Sequence, residues 1–249
     1  MPGIMEGRSV VVTGAAQGIG FAIAEVAAKE SAAVVLNDVN VEGLEAAAQR
    51  LRDAGARAVA HPGDSSNRAV AAAMVDRAVS EFGRLDALAC AGFRRIHGPA
   101  ETFRDEDWCM MVEQGLTGHF RCAQEAARVM LPAGTGSILF ITSIASRVAV
   151  PGVVAYTAVK SGLVGLARQL GVEWARRGVR VNALAPGMTL TPGLAMPREA
   201  AAQLPSGRAV RPEEIADMAV FLLSPKAEQI NGQEIAVDGG AAVGRGAGF

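Results

Sequence analysis

Aromatic side chains are scarce in this chain. Phenylalanine, tryptophan and tyrosine make up 4% of 249 residues, and tyrosine occurs once, at Tyr156. Half of the residues are hydrophobic, so a sizeable core must be built from Ala, Val, Leu and Ile. Cysteine is also rare. Cys90, Cys109 and Cys122 form no C-x-x-C pair and cannot all pair with one another, which argues against a disulfide framework and suits a reducing compartment. His61, His97 and His119 lack metal-ligand spacing, so no metal is expected. No window approaches about 18 uninterrupted apolar residues, as a spanning helix requires. No apolar stretch of signal-peptide length precedes the first strand-like run. The formal net charge of −1 lacks the excess that would draw in a nucleic acid or a membrane surface. A soluble, cytoplasmic protein acting on a small molecule is the expectation.

What is present is an alternation. Short β-branched runs at 9–14, 32–38, 57–64, 85–92, 136–143, 179–186 and 233–239 are separated by Ala-rich segments of helical period. The helical segments cover 18–30, 41–55, 67–83, a stretch from Arg104 to Leu131, and 155–178. Strands that alternate with helices of this length imply right-handed crossovers and a parallel sheet. The strands read as continuous apolar runs, as expected where helices cover both faces. No linker or repeat interrupts the chain, so 1–249 is read as one domain with a glycine-rich tail at 239–249.

The first strand runs into "TGAAQGIG", with Gly14, Gly18 and Gly20, and a helix follows at once. Glycines let the backbone approach an anion, and free N–H groups at a helix start meet phosphate oxygens. Asp38 ends the second strand, where a carboxylate would accept hydrogen bonds from a ribose diol. A 2′-phosphate there would face a like charge, and neither Gln17 nor Val39 supplies a cation to hold it. NAD is therefore favoured over NADP. Without a G-K-[ST] ending the loop is not a triphosphate-binding one.

Tyr156 and Lys160, at i and i+4, share a helix face. A cation that close would lower a phenol pKa from ~10 by roughly 1–3 units, making the tyrosine a general acid or base near neutrality. Ser143 closes the strand run "SILFIT", at the end that faces the ligand crevice in open parallel sheets, and could hold a substrate oxygen. No G-x-S-x-G elbow surrounds it, which argues against a hydrolase.

Together these residues resemble the short-chain dehydrogenase/reductase family, of the classical type, over essentially the whole chain. The match rests on "TGAAQGIG" as T-G-x-x-x-G-x-G, Asp64 after the third strand, Ser143, "YTAVK" as Y-x-x-x-K, "NALAPGMTLT", "RPEEIA" and "GQEIAVDGG". The resemblance implies a Rossmann-type doubly wound parallel sheet of seven strands with helices on both faces, and a homodimer or homotetramer. It implies Tyr156 as acid/base, Ser143 orienting the substrate oxygen, and Lys160 lowering the tyrosine pKa and binding the nicotinamide ribose. The cofactor-binding set it implies is Gly14, Gln17, Gly18, Ile19, Gly20, Asp38, Asp64, Ser65, Cys90, Ala91, Gly92, Tyr156, Lys160, Pro186, Gly187, Thr189 and Thr191, with a short substrate lid near 188–206. The function implied is NAD-dependent hydride transfer between nicotinamide and a secondary alcohol or ketone. The alternative is a catalytically weak, cofactor-binding protein with a scaffolding or sensing role.

Two departures motivate that alternative. The family's N-N-A-G is "ACAG" here, so Ala89 and Cys90 replace both asparagines; Cys90 is read as packing, with oxidation sensitivity as the other option. The family asparagine that anchors a proton-relay water is Gly115. The expectation is a gap at Gly115 that still holds a water and tolerates asparagine, with His119 on the same helix face as an alternative route and structural packing as its other role. Arg94, Arg95 and His97 in "FRRIHG" lie near the crevice mouth, where they would suit an acidic substrate or be solvated loop residues.

Overall fold

The structure, a computed structural model, describes residues 3–192 and 201–244. Its strands are β1 (Ser9–Thr13), β2 (Ala33–Asp38), β3 (Ala58–Pro62), β4 (Ala87–Cys90), β5 (Gly136–Ile141), β6 (Val179–Pro186) and β7 (Glu234–Val237). They form one parallel sheet in the order β3-β2-β1-β4-β5-β6-β7. The helices are α1 (Gly18–Lys29), α2 (Val41–Asp53), α3 (Arg68–Phe82), α4 (Asp105–Val112), α5 (Gly118–Ala133), α6 (Val154–Trp174) and α7 (Pro212–Leu223). Among the described helices none is long and apolar enough to cross a membrane.

Each central strand divides its side chains between two cores, as the period of two demands. Val10 and Val12 of β1, Ala89 of β4 and Leu139 of β5 pack with α1, α2 and α7 on one face. Val11, Leu88, Cys90, Ile138 and Phe140 pack with α3, α5 and α6 on the other. This accounts for continuous apolar strands in a chain poor in aromatics: both faces are interior, and small side chains let the helices sit close. The result is the expected doubly wound α/β fold.

Three differences from the sequence expectation have physical causes. β4 stops at Cys90 rather than Gly92 because the N–H groups of Ala91 and Gly92 turn to the Thr13 hydroxyl, at 3.1 and 3.4 Å. The single helix expected over 104–131 is broken by a π-helical turn at Glu113–Thr117, which separates α4 from α5. α7 was not anticipated as a helix, although "RPEEIA" carries its start signals. Pro212 opens it, and the Glu214 carboxylate reaches back to the N–H of Arg211 at 2.9 Å. Of the expected lid, residues 193–200 lie outside the described residues, as do 245–249 of the tail.

Two left-handed glycines end helical segments on the sheet's amino-terminal side and separate strain from collision. A Cβ on Gly83 (φ +79°) meets nothing within 4 Å, whereas on Gly178 (φ +76°) it would lie 2.6 Å from the carbonyl carbon of Gly134. Gly83→Ala should therefore cost only the left-handed penalty of about 1–2 kcal/mol. Gly178→Ala should cost clearly more in urea unfolding, and equal losses would show that the Gly134 corner relaxes.

Candidate active site

The strand order reverses between β1 and β4, and it is beyond the carboxyl ends at such a reversal that open parallel sheets place their ligand crevice. The two ends touch through backbone alone. A Cβ on Gly14 would sit 2.6 Å from the amide nitrogen of Gly92, and one on Gly20 would lie 2.7 Å from the carbonyl carbon of Gly14. Gln17 precedes α1 in extended conformation, and no side chain caps the N–H groups of Gly18, Ile19 and Gly20. Thr191 arrives from beyond β6 with its methyl 3.5 Å from the Cβ position of Gly18. The Asp38 carboxylate accepts hydrogen bonds from the N–H of Ala16 (3.1 Å) and of Asn40 (3.0 Å), so it braces the glycine turn while standing at the rim. A corner without side chains, uncapped N–H groups and a carboxylate at its edge fit a dinucleotide with a ribose diol.

The remaining expected contact residues lie at carboxyl ends of strands around this corner. Asp64 accepts from the N–H of Ser66 at 2.9 Å, and the Ser65 carbonyl accepts from the Cys122 thiol at 3.2 Å. Pro186 ends β6; the Gly187 N–H donates to Val237 at 2.9 Å, and the buried Thr189 hydroxyl donates to the Gly187 carbonyl at 2.9 Å. Cys90 is fully buried, and burial, with Cys122 beside it, holds its thiol well above the ordinary value. It packs and does not present a thiolate.

Tyr156 stands in the first turn of α6, half-buried, with Lys160 one turn further in. Lys160 is 3% exposed and its ammonium donates to the carbonyl of Ile141, the last residue of β5, at 2.7 Å. Burial pushes this ammonium from 10.5 down to about 7, and the Arg95 guanidinium adds to the shift. Ser143 follows β5 by two residues; its hydroxyl oxygen accepts from the N–H of Ala145 at 3.1 Å. With a lone pair so occupied, the hydroxyl hydrogen is still free to donate.

The expected gap at Gly115 is filled. The Phe93 ring lies against the Gly115 backbone, so a Cβ there would be 2.7 Å from Phe93 Cδ2 and 2.6 Å from a methyl of Val159. The same ring stacks against Tyr156, centroids 5.7 Å apart and planes tilted by 30°, and its centroid is 5.0 Å from the Lys160 ammonium. A water-holding notch that accepts asparagine is thus replaced by a packed aromatic. His119 is buried, with Nδ1 3.4 Å from the Gln114 carbonyl and Nε2 without a partner among the described residues. Burial, with Lys160 nearby, lowers its pKa to about 3, so it stays neutral near pH 7.

Phe93 is the residue that sequence reasoning missed. Its signal is faint: one bulky side chain after the fourth strand and one glycine where a helix would prefer another residue, 22 positions apart. Arg95 is placed more closely than expected, with its guanidinium carbon 5.4 Å from the Tyr156 ring centroid.

Residues 14–242 match a family model described as enoyl-(acyl carrier protein) reductase. The chain is 42% identical over 239 residues to cis-4-hydroxycyclohexanecarboxylate dehydrogenase of Sinomonas cyclohexanicum, covering 94% of this chain and 96% of the relative. It is 41% identical to D-threitol dehydrogenase of Mycolicibacterium smegmatis, covering 95% and 93%. A solved structure of a variant actinorhodin polyketide ketoreductase with NADPH superimposes with a TM-score of 0.91 at 33% identity, covering 98% of this chain and all of that one.

Two outcomes are expected from this geometry. Below pH 7 Lys160 is charged in both folded and unfolded chains, and above 10.5 it is neutral in both; between them the unfolded chain binds more protons, so stability rises with pH. Lys160→Met should lack that rise, and stability curves from urea unfolding that stay parallel to wild type from pH 7 to 10 would refute it. Gly115→Asn should lose about 1–3 kcal/mol by overpacking. Phe93→Ala in the same chain should recover most of it; an additive double-mutant cycle would show that the two side chains do not compete.

Proposed function

Because the chain belongs to the short-chain dehydrogenase/reductase family, we propose that it is an NAD-dependent dehydrogenase of secondary alcohols, or reductase of the matching ketones. The family binds a nicotinamide cofactor, which supplies or accepts the hydride when bound. The carrying observation is the buried Lys160 ammonium, fixed to Ile141 one helical turn from the sole tyrosine of the chain. Tyr156 moves the proton of the substrate hydroxyl at its phenol oxygen, and Lys160 supplies the positive charge that favours the deprotonated phenol. Ser143 donates its hydroxyl hydrogen to the substrate oxygen and so holds the reacting carbon beside Tyr156. Gly14, Gly18 and Gly20 with the first turn of α1 hold the pyrophosphate, and Asp38 takes the ribose diol. Two relatives named for the oxidation of hydroxyl-bearing substrates support the direction of this reading. Assembly into a homodimer or homotetramer belongs to the same proposal, supported by the large apolar side chains Trp108 and Val172 left 40% and 78% exposed.

The preference for NAD rests on Asp38, whose carboxylate would repel a 2′-phosphate, and on Val39, which lies exposed beside it without a cation. Asp38→Ala with Val39→Arg should shift the Kd ratio toward NADP in a titration, and tighter binding of NADP by the wild type would remove Asp38 from this role. Tyr156→Phe should lower kcat on secondary alcohols by about 10²–10⁴-fold while NAD binding is nearly kept. Retention of more than about a tenth of wild-type kcat would count against the phenol. Absence of turnover by the wild type on any alcohol or ketone would favour the scaffolding alternative.

A further inference from the structure

We infer that the substrate carries a carboxylate a few bonds from its carbinol carbon, and that Arg95 is the residue that binds it. This rests on the alcohol dehydrogenase reading of the site and names its substrate class. The first observation is position. Arg95 lies over the Tyr156 ring, with 5.4 Å from guanidinium carbon to centroid, so it stands beside the residue to which a substrate hydroxyl is delivered.

The second observation is that the loop carrying Arg95 is pinned on both sides. Upstream, the Phe93 ring fills the space above Gly115 and meets Tyr156 and Lys160. Downstream, the Gly98 N–H donates to the carbonyl of Gly152 at 3.0 Å, and Gly98 bridges to Val153, just before α6. Arg95 is itself exposed, and the two anchors hold its backbone beside the start of α6. Any side chain at 115 would exclude the ring, so the glycine that replaces the expected asparagine is what lets the loop lie over the catalytic helix.

The third observation is unbalanced charge. Arg104 closes on Glu106 at 3.3 Å, Arg121 on Glu113, and Arg147 on Glu234 at 2.8 Å. Neither Arg94 nor Arg95 closes on a carboxylate among the described residues, and of the two Arg95 is the one that lies over Tyr156. Its charge is felt by buried Lys160, whose pKa it helps to lower. A cation that repels a buried neighbour and has no carboxylate of its own favours an anionic ligand, and a single planar guanidinium matches the two oxygens of one carboxylate. A carboxylate seated there would also offset the repulsion that Lys160 experiences.

The test compares 4-hydroxycyclohexanecarboxylate with its neutral carboxamide as substrates of wild type, Arg95→Gln and Arg95→Lys, with NAD. The acid should be preferred in kcat/KM by the wild type, mainly through KM. Arg95→Gln should lower that preference by about 10–100-fold, and Arg95→Lys should restore part of it. The same preference in Arg95→Gln as in wild type would overturn the assignment. A second arm reads binding without turnover: thermal-shift titration of the NAD-loaded protein with cyclohexanecarboxylate, cyclohexanecarboxamide and cyclohexyl phosphate. The carboxylate should bind most tightly in the wild type and lose that advantage in Arg95→Gln. Equal binding of acid and amide, or tighter binding of the phosphate, would refute the carboxylate. Carboxylate binding lost in Arg95→Gln, with no turnover of either alcohol, would overturn the dehydrogenase reading while leaving the anion site standing.

Discussion

The Lys160 ammonium is buried at the end of the sheet with the Ile141 carbonyl as its backbone partner, and the site depends on this contact. Taking a cation out of water is costly, and here the cost appears as a pKa lowered to about 7. The hydrogen bond joins α6 to the carboxyl end of β5, so the helix that presents Tyr156 is registered against the strand that leads to Ser143. A sheet with both faces covered by small apolar side chains makes that registration rigid. An ammonium held near its titration point responds to each neighbouring charge, which gives Arg95 and any anion in the cleft leverage over it.

Phe93 and Gly115 form a second, local constraint. A glycine inside a helical stretch costs ~1 kcal/mol relative to alanine, and the π-helical turn at Glu113–Thr117 sits at the same place. What offsets it is an aromatic ring seated on bare backbone, in a chain that has few rings to spend. The ring contacts both the phenol and the ammonium, so one substitution changes packing, the electrostatics of Lys160 and the course of the Arg95 loop together. The π-helical turn places Gly115 opposite Phe93 and Val159, and buries His119 behind it as a neutral packing group.

Much of the architecture was legible because its causes are local. Val-rich runs bounded by glycines and Ala-rich segments of helical period specify strand and helix without reference to distant residues. The glycine turn with Asp38, and the four-residue spacing of Tyr156 and Lys160, are short-range patterns of the same kind. α7 is announced by its proline and glutamate, but "RPEEIA" is read above as a family pattern, which carries no statement about where a helix starts.

The sequence by itself determined most of the alternation of strands and helices, the glycine corner after the first strand, and the pairing of one phenol with one ammonium on a helix face. Each follows from periodicity or from contacts within a few residues. Tertiary structure alone decided what occupies the space at Gly115, how deeply Lys160 is buried, that His119 is neutral, and that Arg95 lies over Tyr156. These depend on which side chain reaches a site first from 20 to 70 positions away, and on how much water is left around it. No pattern along the chain encodes either quantity, because both are set by the packing of the whole.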